Sequence, residues 1–420
     1  MAATRSLNYF NFNAAAAKDA TLEKQSPVRA LPSSWYSSQA MYEMERRAIF
    51  SRRWLFITHS SRVKNAGDWV RYNVAGYDFI ITKDRTGGIN TFHNVCRHRA
   101  FSVIEEGSSG NSKILACRYH GWSYGMNGKL AKAPGYQNLE MDKDQNGLFP
   151  IHTHIDRNGF IWINMDAKET PEVSFDEHFE NVDIQKRYTD SNINFDEYEL
   201  EYTYDLEGAY NWKILADNFN ECYHCPTTHT DVPTFLNLET FDSDLKGGHI
   251  QHYCEPTEDQ VKLGNYTHST YYFPVSSMVA ARHFMMIQKF LPSSPTSCQM
   301  SYEIYRKKGS SDEDFRRIAD VYERVMSEDK TLCELAQKNL VSGVFVNGQL
   351  HPKFEKGPLF FQNNVRQMIT EHYEKEKKEG KEIWPAKHTP TENASISNQD
   401  EEICRDIECG TGGQKEVLAW

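Results

Sequence analysis

The sequence has no apolar run near the roughly 18 residues that would span a bilayer, so no transmembrane helix is expected. Cysteine is sparse: nine in 420 residues, unevenly spaced. That excludes a disulfide scaffold and turns attention to which cysteines hold metal. Positive charge is in deficit. Lys plus Arg is 47 and Asp plus Glu is 58, a net charge of −11. The balance argues against non-specific nucleic-acid binding and against a basic membrane-surface patch. No internal repeat is visible. No secretory signal is expected at the start, because Ala14 to Ala17 are followed at once by Lys18, Asp19, Glu23 and Lys24. A disordered leader and a cytoplasmic location are expected. An organelle transit peptide is the alternative, since residues 1–17 hold Arg5 and no acid. Gly410-Thr411-Gly412-Gly413-Gln414-Lys415 lacks the strand–loop–helix context and the ending of a phosphate loop.

What is present suits two to three domains with large cores. Residues 36–55 read as a helix and then a strand. Residues 68–95 alternate in strand fashion, with turns at Ala75-Gly76 and Thr86-Gly87-Gly88. Short strands continue to about 165, which predicts an all-β domain. A helix is expected from Asn211, strands over 268–306, a long helix over 313–340 and another over 360–379. The expected plan is a leader (1–30), an N-terminal helix (31–55), a β domain (56–165), a second domain (166–380) and a polar tail (381–420). The fold class is α+β.

The first metal constellation is Cys96-Arg97-His98 and Cys117-Arg118-Tyr119-His120, separated by eighteen residues. Zinc would accept two thiolates and two imidazoles tetrahedrally. The alternative is a two-iron cluster with both cysteines on one iron and both histidines on the other. Each half supplies one Cys and one His, the pairing a mixed-ligand cluster requires. Asn94-Val95-Cys96-Arg97-His98-Arg99 and Cys117-Arg118-Tyr119-His120-Gly121-Trp122 closely resemble the Rieske motif of Rieske non-haem iron oxygenases. Ala100 stands where that family usually has Gly.

The second constellation runs from Asn211-Trp212-Lys213 through Glu221, Cys222, His224, Cys225 and Pro226 to His229. On a helix, Glu221 and His224 share a face, and Pro226 ends or kinks that helix. Two histidines and one carboxylate make the facial triad of mononuclear Fe(II) oxygenases, with positions open for oxygen and substrate. In the helix at 313–340 the expected apolar stripe is Ile318, Tyr322, Val325, Leu332 and Ala336. Asp329 falls on it, where an unpaired carboxylate is costly; Glu328 is expected to face solvent. A buried salt bridge is the alternative role for Asp329. Cys222 and Cys225 read as core packing, because adjacent residues such as His224 and Cys225 rarely point at one ion.

This segment is similar to the iron motif of the same family. By that resemblance His224, His229 and Asp329 bind iron, Asn218 and Glu221 are catalytic, and Glu221 bridges His224 to the cluster ligand His120 of a neighbouring subunit. The resemblance implies a Rieske β sandwich, a helix-grip catalytic domain, a [2Fe-2S] cluster, one Fe(2+), a head-to-tail homotrimer, and a ferredoxin or flavin-dependent reductase as donor. Glu at the bridge, with Leu31-Pro32-Ser33-Ser34-Trp35-Tyr36 and Gly357-Pro358, resembles the branch that oxygenates choline and related quaternary amines. Choline is the expected substrate and aromatic-ring hydroxylation the runner-up. A non-catalytic electron carrier is the reading from another class. A trimethylammonium head needs aromatic faces, and Phe219, Tyr223, Tyr271, Tyr272, Phe273 and Phe284 are the candidates. An anionic aromatic acid would need an Arg, for which Arg282 is the candidate. Finally, Arg97, Arg99, Lys113, Arg118, Lys129 and Lys132 against Glu105 and Glu106 leave a local balance of 6 − 2 = +4. That patch is a candidate docking face for an acidic donor.

Overall fold

Ser38 opens the first helix by accepting the Met41 N–H at 3.2 Å. The helix Gln39–Glu45 continues as a wider turn over Arg46–Phe50 and buries Met41, Tyr42, Ile49 and Phe50. The computed structural model describes residues 28–105 and 107–388. Most of the expected leader, Glu106 and residues 389–420 lie outside the described residues. Residues 381–388, assigned to the tail from sequence, pack on the fold: the Arg46 and Arg47 guanidinium groups lie over the Trp384 ring, and the Ala167 N–H donates to Pro385 O.

After that helix the chain enters a seven-stranded antiparallel sheet. Its strands, in spatial order, are Leu55–His59, Phe160–Asn164, Pro150–Ile155, Ile89–His93, Tyr77–Lys83, Asp68–Val74 and Ser109–Asn111. The tightest hairpin joins Asp68–Val74 to Tyr77–Lys83, with Val74 opposite Tyr77. Its two central residues, Ala75 and Gly76, both have positive φ (52° and 81°), the turn that matches strand twist. A three-stranded sheet of Leu115–Ala116, Ser123–Tyr124 and Leu130–Lys132 covers it. Ile80, Phe92, Leu115, Trp122, Tyr124 and Leu130 fill the space between.

The second half is another seven-stranded antiparallel sheet, again in spatial order: Tyr198–Gly208, Ser297–Lys307, Phe284–Ser294, Ser276–Ala281, Thr267–Tyr272, His249–Pro256 and Leu236–Leu245. The helices Trp212–Phe219, Asp312–Leu340 and Lys356–Glu379 pack on it and on one another. This is the expected α+β class. One apolar core runs through both halves, from Val70, Phe79 and Ile161 to Trp212, Phe290, Tyr302, Phe315 and Phe361.

Two contacts hold the helix Trp212–Phe219 in place. Glu45, fully buried, accepts from Lys213 Nζ at 2.5 Å and Trp212 Nε1 at 2.8 Å. Gly357 lies so close that an added Cβ would sit 2.1 Å from Asn220 O. Only glycine permits that approach of the C-terminal helix to the segment carrying Glu221. The helix Asp312–Leu340 buries Phe315, Ala319, Met326, Asp329, Cys333 and Gln337. The stripe is therefore rotated from the expected one: Ala336 is exposed, while Ile318, Tyr322 and Val325 form its half-buried edge.

Candidate active site and cluster site

The loops holding Cys96 and Cys117 have one hydrogen-bonding pattern. The Cys96 N–H donates to Phe101 O and the Ala100 N–H to Cys96 O; the Cys117 N–H donates to Trp122 O and the Gly121 N–H to Cys117 O. Ala100 and Gly121 are equivalent, and both are left-handed (φ 57° and 73°). Both cysteines are buried and free. His98 Nδ1 and His120 Nδ1 face each other at 3.1 Å, and the His98 ring stacks on Trp122. Two thiols beneath two imidazoles at the molecular surface is a donor set that fits a mixed-ligand cluster. Tyr124 was not singled out from sequence. Its buried hydroxyl lies 3.3 Å from Cys96 Sγ and accepts the Arg97 N–H at 3.0 Å.

The second site is built differently from the sequence expectation. The helix capped by Asn211 ends at Phe219, and Pro226 sits in the first turn of a new short helix, Cys225–Thr228. Glu221 and His224 are therefore on an irregular segment, not on a helix face. They still meet, because the Glu221 carboxylate accepts the backbone N–H groups of Tyr223 and His224 and lies 2.5 Å from His224 Nδ1. His229 comes from the end of the short helix and Asp329 from the long one. The Asp329 Oδ1 lies 3.4 Å from His224 Nε2 and 3.1 Å from His229 Nε2. Ligands about 2.1 Å from one ion at right angles stand ~3 Å apart, so the three atoms suit a single cation. Asn218 Nδ2 donates to the same oxygen at 3.3 Å.

Glu328 does not simply face solvent. It lies 2.7 Å from His229 Nδ1 and pairs with Arg324. Each imidazole is thus held at Nδ1 by a glutamate and turned with Nε2 toward Asp329, the support that metal-binding histidines receive. Burial opposes charge on His224, but hydrogen bonds to Asp329 and Glu221 push its pKa up to about 10. Burial likewise raises the Asp329 carboxyl, and the two histidines reverse this and bring it below the usual range. Three carboxylates around two imidazoles form a negative field suited to a divalent cation.

Cys222 and Cys225 are not separate core residues; they are joined as a disulfide across His224. Nor does adjacency keep Cys225 away: one donor atom each of His224, Cys225 and His229 lie within 4.8 Å of one another. The histidines open on a cavity of ≈ 210 Å³ lined by Phe219, Phe235, Phe241, Tyr322, His252 and Arg317, among others. Of the six aromatic candidates only Phe219 lines it. Tyr271, Tyr272, Phe273 and Phe284 are buried core, and Tyr223 is exposed and stacked on Phe354. Arg282 is not in the wall; Arg317 is. Phe235 and Phe241 give no signal in sequence, and Tyr322 reads there only as part of a helix stripe, because a turn, a strand and a helix far apart in the chain bring the three together. Among the described residues neither His98 nor His120 hydrogen-bonds to Glu221.

Residues 53–143 match the Rieske [2Fe-2S] domain, and residues 195–371 match the ring hydroxylating alpha subunit (catalytic domain). The chain belongs to the Rieske oxygenase alpha subunits. Its cofactors are accordingly the two-iron cluster of the first domain and the mononuclear iron of the second. Among curated relatives of this oxygenase, the chloroplastic choline monooxygenase of Atriplex hortensis is 29% identical over 80% of this chain and 77% of that protein. The oxygenase subunit of carnitine monooxygenase from Escherichia coli K12 is 27% identical over 74% of this chain and 84% of that one. A solved quaternary ammonium Rieske monooxygenase, described for carnitine oxidation and inter-subunit electron transfer, has the same fold. It superposes with a TM-score of 0.72 at 22% identity, covering 82% of this chain and 96% of that one. Among the described residues no helix is long and apolar enough to cross a membrane.

Proposed function

We propose that this oxygenase uses O2 and two external electrons to monooxygenate a small quaternary-ammonium substrate, with choline, oxidised to betaine aldehyde or its hydrate, as the leading candidate. The observation that carries this is the cavity beside His224, His229 and Asp329. Its ≈ 210 Å³ is smaller than the ~300–1,000 Å³ of drug-sized pockets. Its wall is aromatic and aliphatic, the surface a trimethylammonium head needs because that head donates no hydrogen bond. Glu221 and Asp329 are the carboxylates at the histidine end. A carboxylate-bearing amine such as carnitine is the second reading, favoured by Arg317 in the wall, although Glu313 already holds that guanidinium at 3.1 Å. A ring-hydroxylating role on an aromatic acid would rest on the same Arg317. An electron carrier without catalysis is disfavoured by the convergence of Glu221, His224, His229 and Asp329.

In this reading Cys96, Cys117, His98 and His120 hold the cluster, and His224, His229 and Asp329 hold the iron. When bound, these groups supply stored electrons and a site for activating O2. The chain's own residues do the rest. Glu221 and Glu328 fix the ring orientation of the two histidines. Asn218 steadies Asp329 through its amide. Phe219, Phe241 and Tyr322 exclude water around the substrate. The exposed His120 supports a head-to-tail homotrimer in which it meets Glu221 of the next subunit, so that a ferredoxin or flavin-dependent reductase needs to reach only the cluster.

Turnover with a panel of choline, carnitine and single-ring aromatic acids tests the proposal, with oxygen uptake and product measured together. Oxygen uptake matched by betaine aldehyde supports choline. Matched product from an aromatic acid alone refutes the quaternary-ammonium reading. Asp329→Ala should keep the cluster spectrum and lose product; full activity in that variant would remove Asp329 from the ligand set.

A further inference from the structure

The disulfide Cys222–Cys225 brackets His224, and its two cysteines differ in what they line. Cys225 is buried and lines the substrate cavity. Cys222 is half-buried and lines both that cavity and a second one, bounded by Asn220, Tyr223, Pro226, Phe241 and Phe354. A thiol entering the second cavity therefore meets Cys222 and not Cys225. Attack there expels Cys225 as the leaving thiolate. That thiolate is released beside the histidines, since its sulfur already lies within 4.8 Å of a donor atom of each. Thiolates bind transition metals strongly, whereas a disulfide sulfur carries no negative charge to offer.

We propose that Cys225 is a redox-gated fourth ligand to the mononuclear site, kept away from the metal while it is bonded to Cys222 and admitted when that bond is reduced. The inference rests on His224, His229 and Asp329 being the metal ligands. The step balances with a dithiol as reductant. Its two sulfurs become a disulfide, the Cys222–Cys225 bond breaks, Cys222 leaves as a thiol, and Cys225 binds as thiolate while one proton passes to solvent. Reduction would thus close one of the positions that O2 and substrate need, and oxidation would reopen it. The device ties the enzyme's competence to the thiol balance around it.

Zinc is the probe, because it has no redox chemistry and its sulfur and nitrogen ligands differ in distance (~2.3 Å against ~2.0–2.1 Å). The full chain, with its cluster intact and the mononuclear iron exchanged for zinc, is measured by X-ray absorption at the zinc edge, where cluster iron is silent. The oxidised protein should show nitrogen and oxygen neighbours only. Treatment with a trialkylphosphine, which reduces the disulfide and is itself oxidised to the phosphine oxide, should add one sulfur. Cys222→Ser, which frees Cys225 permanently, should show that sulfur without reductant. Cys225→Ser should show none in either state. The proposal is overturned if zinc lost in His224→Ala shows no sulfur in reduced wild type or in Cys222→Ser. Zinc that stays bound in His224→Ala would overturn the metal-site reading itself and this proposal with it.

Discussion

Replacing Tyr124 by Phe should lower the reduction potential of the cluster. The Tyr124 hydroxyl is fully buried, 3.3 Å from the Cys96 sulfur, and in our assignment that sulfur is a cluster ligand. A hydrogen bond to a charged acceptor is worth roughly 1.5–3 kcal/mol. Both redox states receive it, and the reduced state, with one more negative charge, receives more. Taking about 1 kcal/mol as the difference gives a drop of about 40 mV for a one-electron couple. Removing the hydroxyl also leaves the Arg97 N–H without its acceptor, so stability should fall by about 1 kcal/mol. A mediated redox titration followed by visible circular dichroism reads the potential, with iron content as the control for an intact cluster. A potential that stays put or rises, with the cluster intact, refutes the reasoning.

Ala100→Gly should stabilise the cluster loop by about 0.5–1 kcal/mol in thermal unfolding, because Ala100 is left-handed where its counterpart is Gly121; an unchanged midpoint would count against that strain. Glu221→Gln should leave both metals bound and slow single-turnover oxidation of the reduced cluster, since only the bridge is weakened. Unchanged rates would argue against the proposed trimer contact. Burial pushes the Asp217 carboxyl up to about 7, against hydrogen bonds from Gln362 and Tyr36. The folded protein therefore holds that proton more tightly than the unfolded chain, and wild-type stability should fall as pH rises from about 4 through 7, by at most roughly 4 kcal/mol. In Asp217→Asn this component disappears, so a gap between variant and wild type that does not change with pH would refute it. Lys129 and Lys132 are exposed, whereas Arg118 pairs with Glu105 and Arg97 packs over Phe149. Reversing both lysines to Glu should slow reduction by an acidic donor and weaken its salt dependence, while reduction by a small chemical agent stays the same.

Most of the first site was legible from sequence because its chemistry is local. Cys96, His98, Cys117 and His120 stand in two short loops of one form, so spacing pairs one thiol with one imidazole in each, and it is this pattern that resembles the Rieske motif. Short range also made Glu221, His224 and His229 visible, even though no helix carries the first two. Asp329 could be found one hundred residues away because a carboxylate on a helix stripe is anomalous in itself. Its neighbour Glu328 is the more exposed of the two, as expected, but its contact with His229 was not legible, since a helix pattern shows which face is apolar and not what stands opposite the rim.

The residue order by itself determined the donor types, the two metal motifs and the α+β class, because those depend on side-chain chemistry and on periods of two and three to four residues. Tertiary structure alone decided the rest. It set Phe235, Phe241, Tyr322 and Arg317 around one cavity from a strand, the turn before it and a helix up to about ninety residues away. It turned Cys222 and Cys225 from presumed core residues into a bond across His224. Such placements depend on sheet register and helix rotation, and those are fixed by the packing of the whole core, which no local pattern encodes.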